Sequence, residues 1–123
     1  MDLKTLIMDF LEYLEVEKNV SRLTIRNYAH YLNRFLGFIT GQIPSSEAGG
    51  TEKKLKKITP QDINPDVIHE YRLFLSRYID EHGISLKRVT QNYHLIALRS
   101  FFKYLLKKDI DVMAPEKIDL PKL

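Results

Sequence analysis

The chain has 123 residues, of which 44% are hydrophobic and 28% charged, with no cysteine and a net charge of +3. That length suits one domain around one core, and the lack of cysteine excludes a disulfide framework, a thiolate metal site and a cysteine nucleophile, which fits a reducing cytoplasm. No apolar run approaches the roughly 20 residues of a membrane span, and Asp2, Asp9 and Glu12 break the N-terminal stretch, which does not read as a signal peptide.

The first predicted helix covers about 2–17. Leu3, Leu6, Ile7, Phe10, Leu11 and Leu14 recur at the spacing of one helical face, and Asp9, Glu12 and Glu15 face outward. This acidic face suits either solvent or a neighbouring subunit. Ser21 is placed to cap a second helix running to about Thr40, with Gly41 as its stop. Ile25, Tyr28, Leu32, Phe35, Leu36 and Ile39 make its core stripe. Arg22, Arg26, His30 and Asn33 make the opposite stripe, a row of donors on a helix with no acidic residue. His30 has no metal-ligand neighbour in sequence and reads as a surface residue.

Residues 41–59 form the main linker, punctuated by Gly, Ser and Pro and made basic by Lys53, Lys54, Lys56 and Lys57. Those lysines suit a phosphate backbone or serve only solubility. Thr59–Asp62 reads as a short capping turn. Asn64 and Pro65 then open a third helix as N-cap and first helical residue, running to about Asp80. Val67, Ile68, Tyr71, Phe74, Leu75 and Tyr78 are its core stripe, its outer face is acidic and mixed, and His82-Gly83 closes it.

The fourth helix spans Ser85 to Lys108, with Ser85 as N-cap, and has no Pro, Gly or acid. Lys87, Arg88, Gln91, Asn92 and His94 share one side of its first half, whereas its second half is apolar nearly all round. Two readings follow: a buried shaft with a basic, amide-rich tip that meets phosphates and base edges, or a core helix with a solvated end. The tail from Asp109 holds two prolines, Pro115 and Pro121, and has no helical period, which predicts an extended segment. No strand or hairpin signal is present. The expected architecture is therefore all-α, a compact bundle of four helices with one long basic loop between the second and third.

Charge is sorted by helix. Residues 21–40 carry three arginines and no acid, and 86–108 carry six basic residues and no acid. The first and third helices are net acidic. Such sorting points to a polyanion better than the small total does. There is no glycine-rich phosphate loop, no Cys/His cluster and no triad spacing, so neither metal nor cofactor is expected. His69-Glu70-Tyr71-Arg72 spells H-x-x-R, but no further arginine, lysine or nucleophilic tyrosine is arranged with it, and no catalytic residue is assigned.

Helix two reads Ser21-x-x-Thr24-x-x-x-Tyr28-x-x-x-Leu32-x-x-Phe35, and helix four ends Ile96-x-Leu98-Arg99-x-Phe101-Phe102-x-Tyr104-Leu105. With the turn Ile58-Thr59-x-x-Asp62-Ile63 between them, the pair resembles the N-terminal core-binding domain of tyrosine recombinases, the phage-integrase and Xer-like enzymes. The resemblance implies a SAM-like four-helix domain over 1–108 that forms half of a clamp around duplex DNA at a recombination site. It implies that 109–123, ending Asp119-Leu120-Pro121-Lys122, is a linker into a catalytic domain absent from this chain, which would then bind DNA without cutting it. The implied DNA-facing residues are Arg22, Thr24, Arg26, Asn27 and His30 on the second helix. On the fourth they are Lys87, Arg88, Thr90, Gln91, Asn92 and His94, while Arg99 serves either DNA or helix packing. The implied partners are double-stranded DNA and, through the first helix, other protomers; the rival reading is a helical protein-interaction domain.

Overall fold

A computed structural model describes residues 2–41 and 58–120. Among them are four α-helices, α1 (Leu3–Val16), α2 (Arg22–Thr40), α3 (Pro65–Arg77) and α4 (Arg88–Lys107), and no named strand, so the protein is all-α. The lysines at 53, 54, 56 and 57 lie outside the described residues.

The helix starts follow from local chemistry. Asp2 accepts from the Thr5 N–H at 3.1 Å, Ser21 from Thr24 at 3.2 Å and Asn64 from Val67 at 2.9 Å. Each satisfies an amide that the first turn would otherwise leave unpaired. The short 3-10 turn Pro60–Asp62 carries a capping box, with Thr59 N–H donating to the Asp62 carboxylate. The helix ends also have identifiable stops. Gly41 takes φ 84 after α2, a left-handed conformation that costs glycine nothing. Asn19 takes φ 52 after α1, and Val20 N–H returns to the Leu14 carbonyl.

α4 is the axle of the molecule. It packs against α1, α2, α3 and a 3-10 turn at Pro115–Lys117. Phe101, Phe102, Leu98 and Leu105 are almost fully buried along it. Phe10 of α1 meets Phe101 and Tyr104 at ring distances of 5.5 and 5.3 Å, and Phe35 of α2 meets Tyr71 of α3 edge-on at 4.9 Å. Such tilted and edge contacts suit the aromatic quadrupole.

The α3–α4 connection departs from the expectation. α3 stops at Arg77, not near Asp80, and α4 starts at Arg88, not after Ser85. Asp80 is the reason. Its carboxylate accepts from the His82 and Ile84 N–H groups at 2.8 and 3.0 Å, and its own N–H donates to Ile84 O. Side-chain bonds of this kind outcompete helix continuation. Gly83 supplies φ 77 for the turn, and Ile79 and Ser85 pair across it as an isolated antiparallel bridge. Ser85 is therefore a bridge residue, and Lys87 holds the N-cap position of α4 without a side-chain cap bond.

The tail is mostly extended, as expected, but it is packed. Asp109 takes φ 63 and turns the chain back. Val112, Pro115 and Ile118 are buried, Ile118 to 1% exposure. Arg99 Nε donates to Pro115 O at 3.3 Å, Gln61 to Asp111 O at 2.7 Å and Arg72 to Asp119 O at 2.8 Å.

Candidate nucleic-acid interface

Ser21 starts α2 so that Arg22, Arg26, His30 and Asn33 fall on one exposed side, at helical spacings of four, four and three. Asn27 is exposed nearby. None of the guanidinium groups of Arg22, Arg26 and Arg88, nor the Lys87 ammonium, forms an ion pair among the described residues; the one such pair there is Glu81 with His82. Unpaired cations on a face without acids are free to meet an anion. Thr24 is different. It is half-buried, and both its N–H and its hydroxyl are engaged with Ser21, so it serves the cap.

On α4 the polar tip divides in two. Lys87 and Arg88 are exposed at the helix start, where the first amides have no side-chain cap and the helix dipole is positive. Such an end attracts phosphate. Thr90 and Gln91 are half-buried, and Gln91 Nε2 donates to Leu86 O at 3.0 Å. Asn92 and His94 are not surface residues: they are 7% and 1% exposed. The expectation that they face DNA is corrected by the packing of α4, which turns both toward protein.

His94 belongs to a polar contact between α2 and α4 that the sequence did not suggest. Its Nδ1–H donates to Thr90 O at 2.8 Å, and Arg34 Nη1–H donates to Nε2 at 2.9 Å. A carbonyl only accepts and a guanidinium only donates, so the neutral ring with its proton on Nδ1 is the form that satisfies both. Burial is the main cause of a His94 pKa pushed down to about 4 from 6.5; the Thr90 bond opposes this, and the charges of Arg34 and His30 add to it. Arg34 also lies 4.7 Å from the Tyr78 ring centre, a cation–π contact with α3's C-cap residue. Tyr31 packs on His94 at 4.5 Å and lies 6.4 Å from Tyr93, which is 47% exposed. Burial, then Arg34, also lowers the His30 pKa.

This cluster joins the middle of α2 to the first turns of α4. It sets the two acid-free helices side by side, with His30 of the α2 row 6.3 Å from the His94 ring. Arg34 had one sequence signal: a lone cation between the core residues Leu32 and Phe35. Tyr93 had none, because a tyrosine fits an apolar stripe equally well. Arg99 serves packing, through its bond to the tail. His69 and Arg72 both line a groove between α3 and α4, and Arg72 is tied to the tail. No group of three metal-ligating side chains occurs among the described residues, and no described helix is long and apolar enough to cross a membrane.

Comparison with known proteins gives a consistent set of relatives. Residues 7–109 match the family described as phage integrase, N-terminal SAM-like domain. Tyrosine recombinase XerC of Bacillus subtilis strain 168 is 30% identical over 122 residues, which is 98% of this chain and 34% of that protein. XerC of Pelobacter propionicus is 28% identical over 101 residues, covering 82% of this chain and 28% of the relative. Tyrosine recombinase XerD of Chlorobaculum tepidum is 30% identical over 115 residues, covering 93% and 31%. The chain thus spans about a third of the length of these curated relatives. No solved structure is a significant match.

Proposed function

The chain belongs to the phage integrase N-terminal SAM-like domain family, and from that membership we propose that it is the DNA-binding module of a site-specific tyrosine recombinase, holding duplex DNA through α2 and α4. The observation that carries the reading is the exposure of Arg22, Arg26, Asn27 and His30 on α2 and of Lys87 and Arg88 at the uncapped start of α4, the two helices without an acidic residue. Arg22, Arg26, Lys87 and Arg88 meet phosphates, and Gln91, one turn along α4, reaches toward base edges. Asn92, His94, Thr24 and Thr90 act behind that surface. Lys53, Lys54, Lys56 and Lys57 extend the phosphate contacts.

In this reading the tail after Asp109 leads toward a catalytic domain, and this chain binds DNA in the cytoplasm without cutting it. Protomers on the same DNA meet through the acidic face of α1.

The test is fluorescence anisotropy with labelled duplex DNA at several salt concentrations. Four phosphate contacts from Arg22, Arg26, Lys87 and Arg88 would give a slope of log affinity against log salt of about −3 to −4. Arg26→Glu and Arg88→Glu each weaken binding and flatten that slope, with helicity intact by circular dichroism. Binding that is absent at low salt, or indifferent to both reversals, removes the assignment and favours a protein partner.

A further inference from the structure

Between α1, the start of α2 and the second half of α4 lies a groove of about 290 Å³. Its floor is apolar: Phe10, Leu14 and Tyr104 are buried there, and Val20 and Tyr28 are half-buried. Its charged residues are Lys18, Lys103 and Lys107, and no acidic residue lines it. All three lysines are exposed, and none forms an ion pair among the described residues. Lys103 and Lys107 stand one turn apart on α4. Lys107 Nζ donates to the Tyr13 hydroxyl at 3.2 Å, which holds its ammonium beside the groove. Tyr13 and Tyr104 also wall a second groove, and that one is lined by Asp9, Glu12, Glu17 and Lys108. The two grooves that share these tyrosines therefore differ in sign.

Two demands follow for an occupant. It brings negative charge to lysines from two elements, Lys18 after α1 and Lys103 with Lys107 on α4. It also brings an apolar group for the floor, in a space just under the roughly 300–1,000 Å³ of small-molecule sites. Such a space suits one or two side chains of a partner. Duplex DNA meets only the first demand, because its phosphates are anionic but its bases are stacked away. An inorganic anion fails in the same way. We propose that the groove docks an acidic segment of a partner protein, with one apolar or aromatic side chain of that segment seated on the floor and flanking carboxylates on the three lysines. Charge complementarity selects this partner and excludes a basic one. The seated side chain is the anchor, as a few buried residues are in most interfaces. Exposed ion pairs are weak singly, so anchor and charges are both required. The inference does not depend on the duplex reading, since Arg22, Arg26, Lys87 and Arg88 do not line this groove.

The test is a titration of the isotope-labelled protein with the blocked peptide Glu-Glu-Phe-Glu-Glu, followed by backbone amide NMR shifts. The peptide gives saturable shifts at Val20, Tyr28, Ser100 and Lys103. Replacing its phenylalanine by alanine, or its glutamates by glutamines, weakens binding about tenfold. Lys103→Ala combined with Lys107→Ala weakens the parent peptide by a similar factor. Both lysines are exposed, so the helicity of that variant by circular dichroism equals that of the parent. Arg26→Glu and Arg88→Glu leave peptide binding unchanged, which separates this groove from the proposed duplex contacts. Absence of saturable groove shifts at millimolar peptide, with DNA binding intact, overturns the proposal and leaves the duplex reading standing. Equal affinity for the phenylalanine and alanine peptides also overturns it. So does displacement of the peptide by duplex DNA with the same groove shifts, which would assign the groove to nucleic acid. Groove shifts that appear on raising the concentration of the protein alone would assign it to a second copy and overturn it as well.

Discussion

Acid should loosen the protein through His94. The ring is 1% exposed, and both its nitrogens are used: Nδ1–H on Thr90 O, and the Nε2 lone pair on Arg34. A second proton would sit on Nε2 and face a guanidinium that has no proton acceptor to offer. Burial first, and the Arg34 charge after it, hold the folded pKa at about 4 against 6.5 for the ordinary group. Above pH 6.5 the ring is neutral in both folded and unfolded chains, and proton binding leaves stability untouched. Between 6.5 and about 4 the unfolded chain takes up a proton that the folded chain refuses, so stability falls as pH falls. The shift of 2.5 units, at about 1.4 kcal/mol each, amounts to about 3 kcal/mol in all, of which about 2 kcal/mol is lost by pH 5. Urea denaturation followed by circular dichroism, at steps from pH 7 to pH 5, measures it. Carboxylates and His30 also titrate, so the comparison is with His94→Gln, which keeps them all and removes the one ionisation. Wild type should lose about 2 kcal/mol more than the variant across that range. Parallel losses in the two proteins would refute the buried neutral pairing with Arg34.

The core and the tail give two further tests. Phe101 is fully buried and meets both Phe10 and Phe102, so Phe101→Ala should cost about 3–5 kcal/mol in chemical denaturation; a loss under 1 kcal/mol would mean that α4 is not the central packing element. Ile118 is 1% exposed although it lies past the last helix, so Ile118→Ala should cost about 2–4 kcal/mol. Retention of full stability by that variant would show that the tail does not belong to the core.

Much of the fold was legible because it is written locally. The caps at Ser21 and Asn64, the stop at Gly41 and the apolar spacing of α1 each act within four residues, so short stretches of chain reveal them. The acid-free character of α2 and α4 is likewise a property of composition, and Arg22, Arg26 and Arg88 stand exposed where the helical period puts them. The Asp80 turn was locally encoded too, yet its signal is ambiguous: an aspartate near a helix end caps, turns or is merely solvated, and the choice depends on whether Ile79 and Ser85 pair.

Sequence by itself determined that there are four helices, where most of them begin, and which two carry unopposed positive charge. Tertiary structure alone decided that His94 and Asn92 are inside, that Arg34 ties α2 to α4, and that Val112 and Ile118 of the tail complete the core. The physical reason is that helical periodicity reports which side of a helix a residue is on, but not what lies on that side. A polar side chain facing water and one facing the guanidinium of a packed helix follow the same spacing. They differ only when a second helix, sixty residues away in the chain, brings its own polar group to the contact.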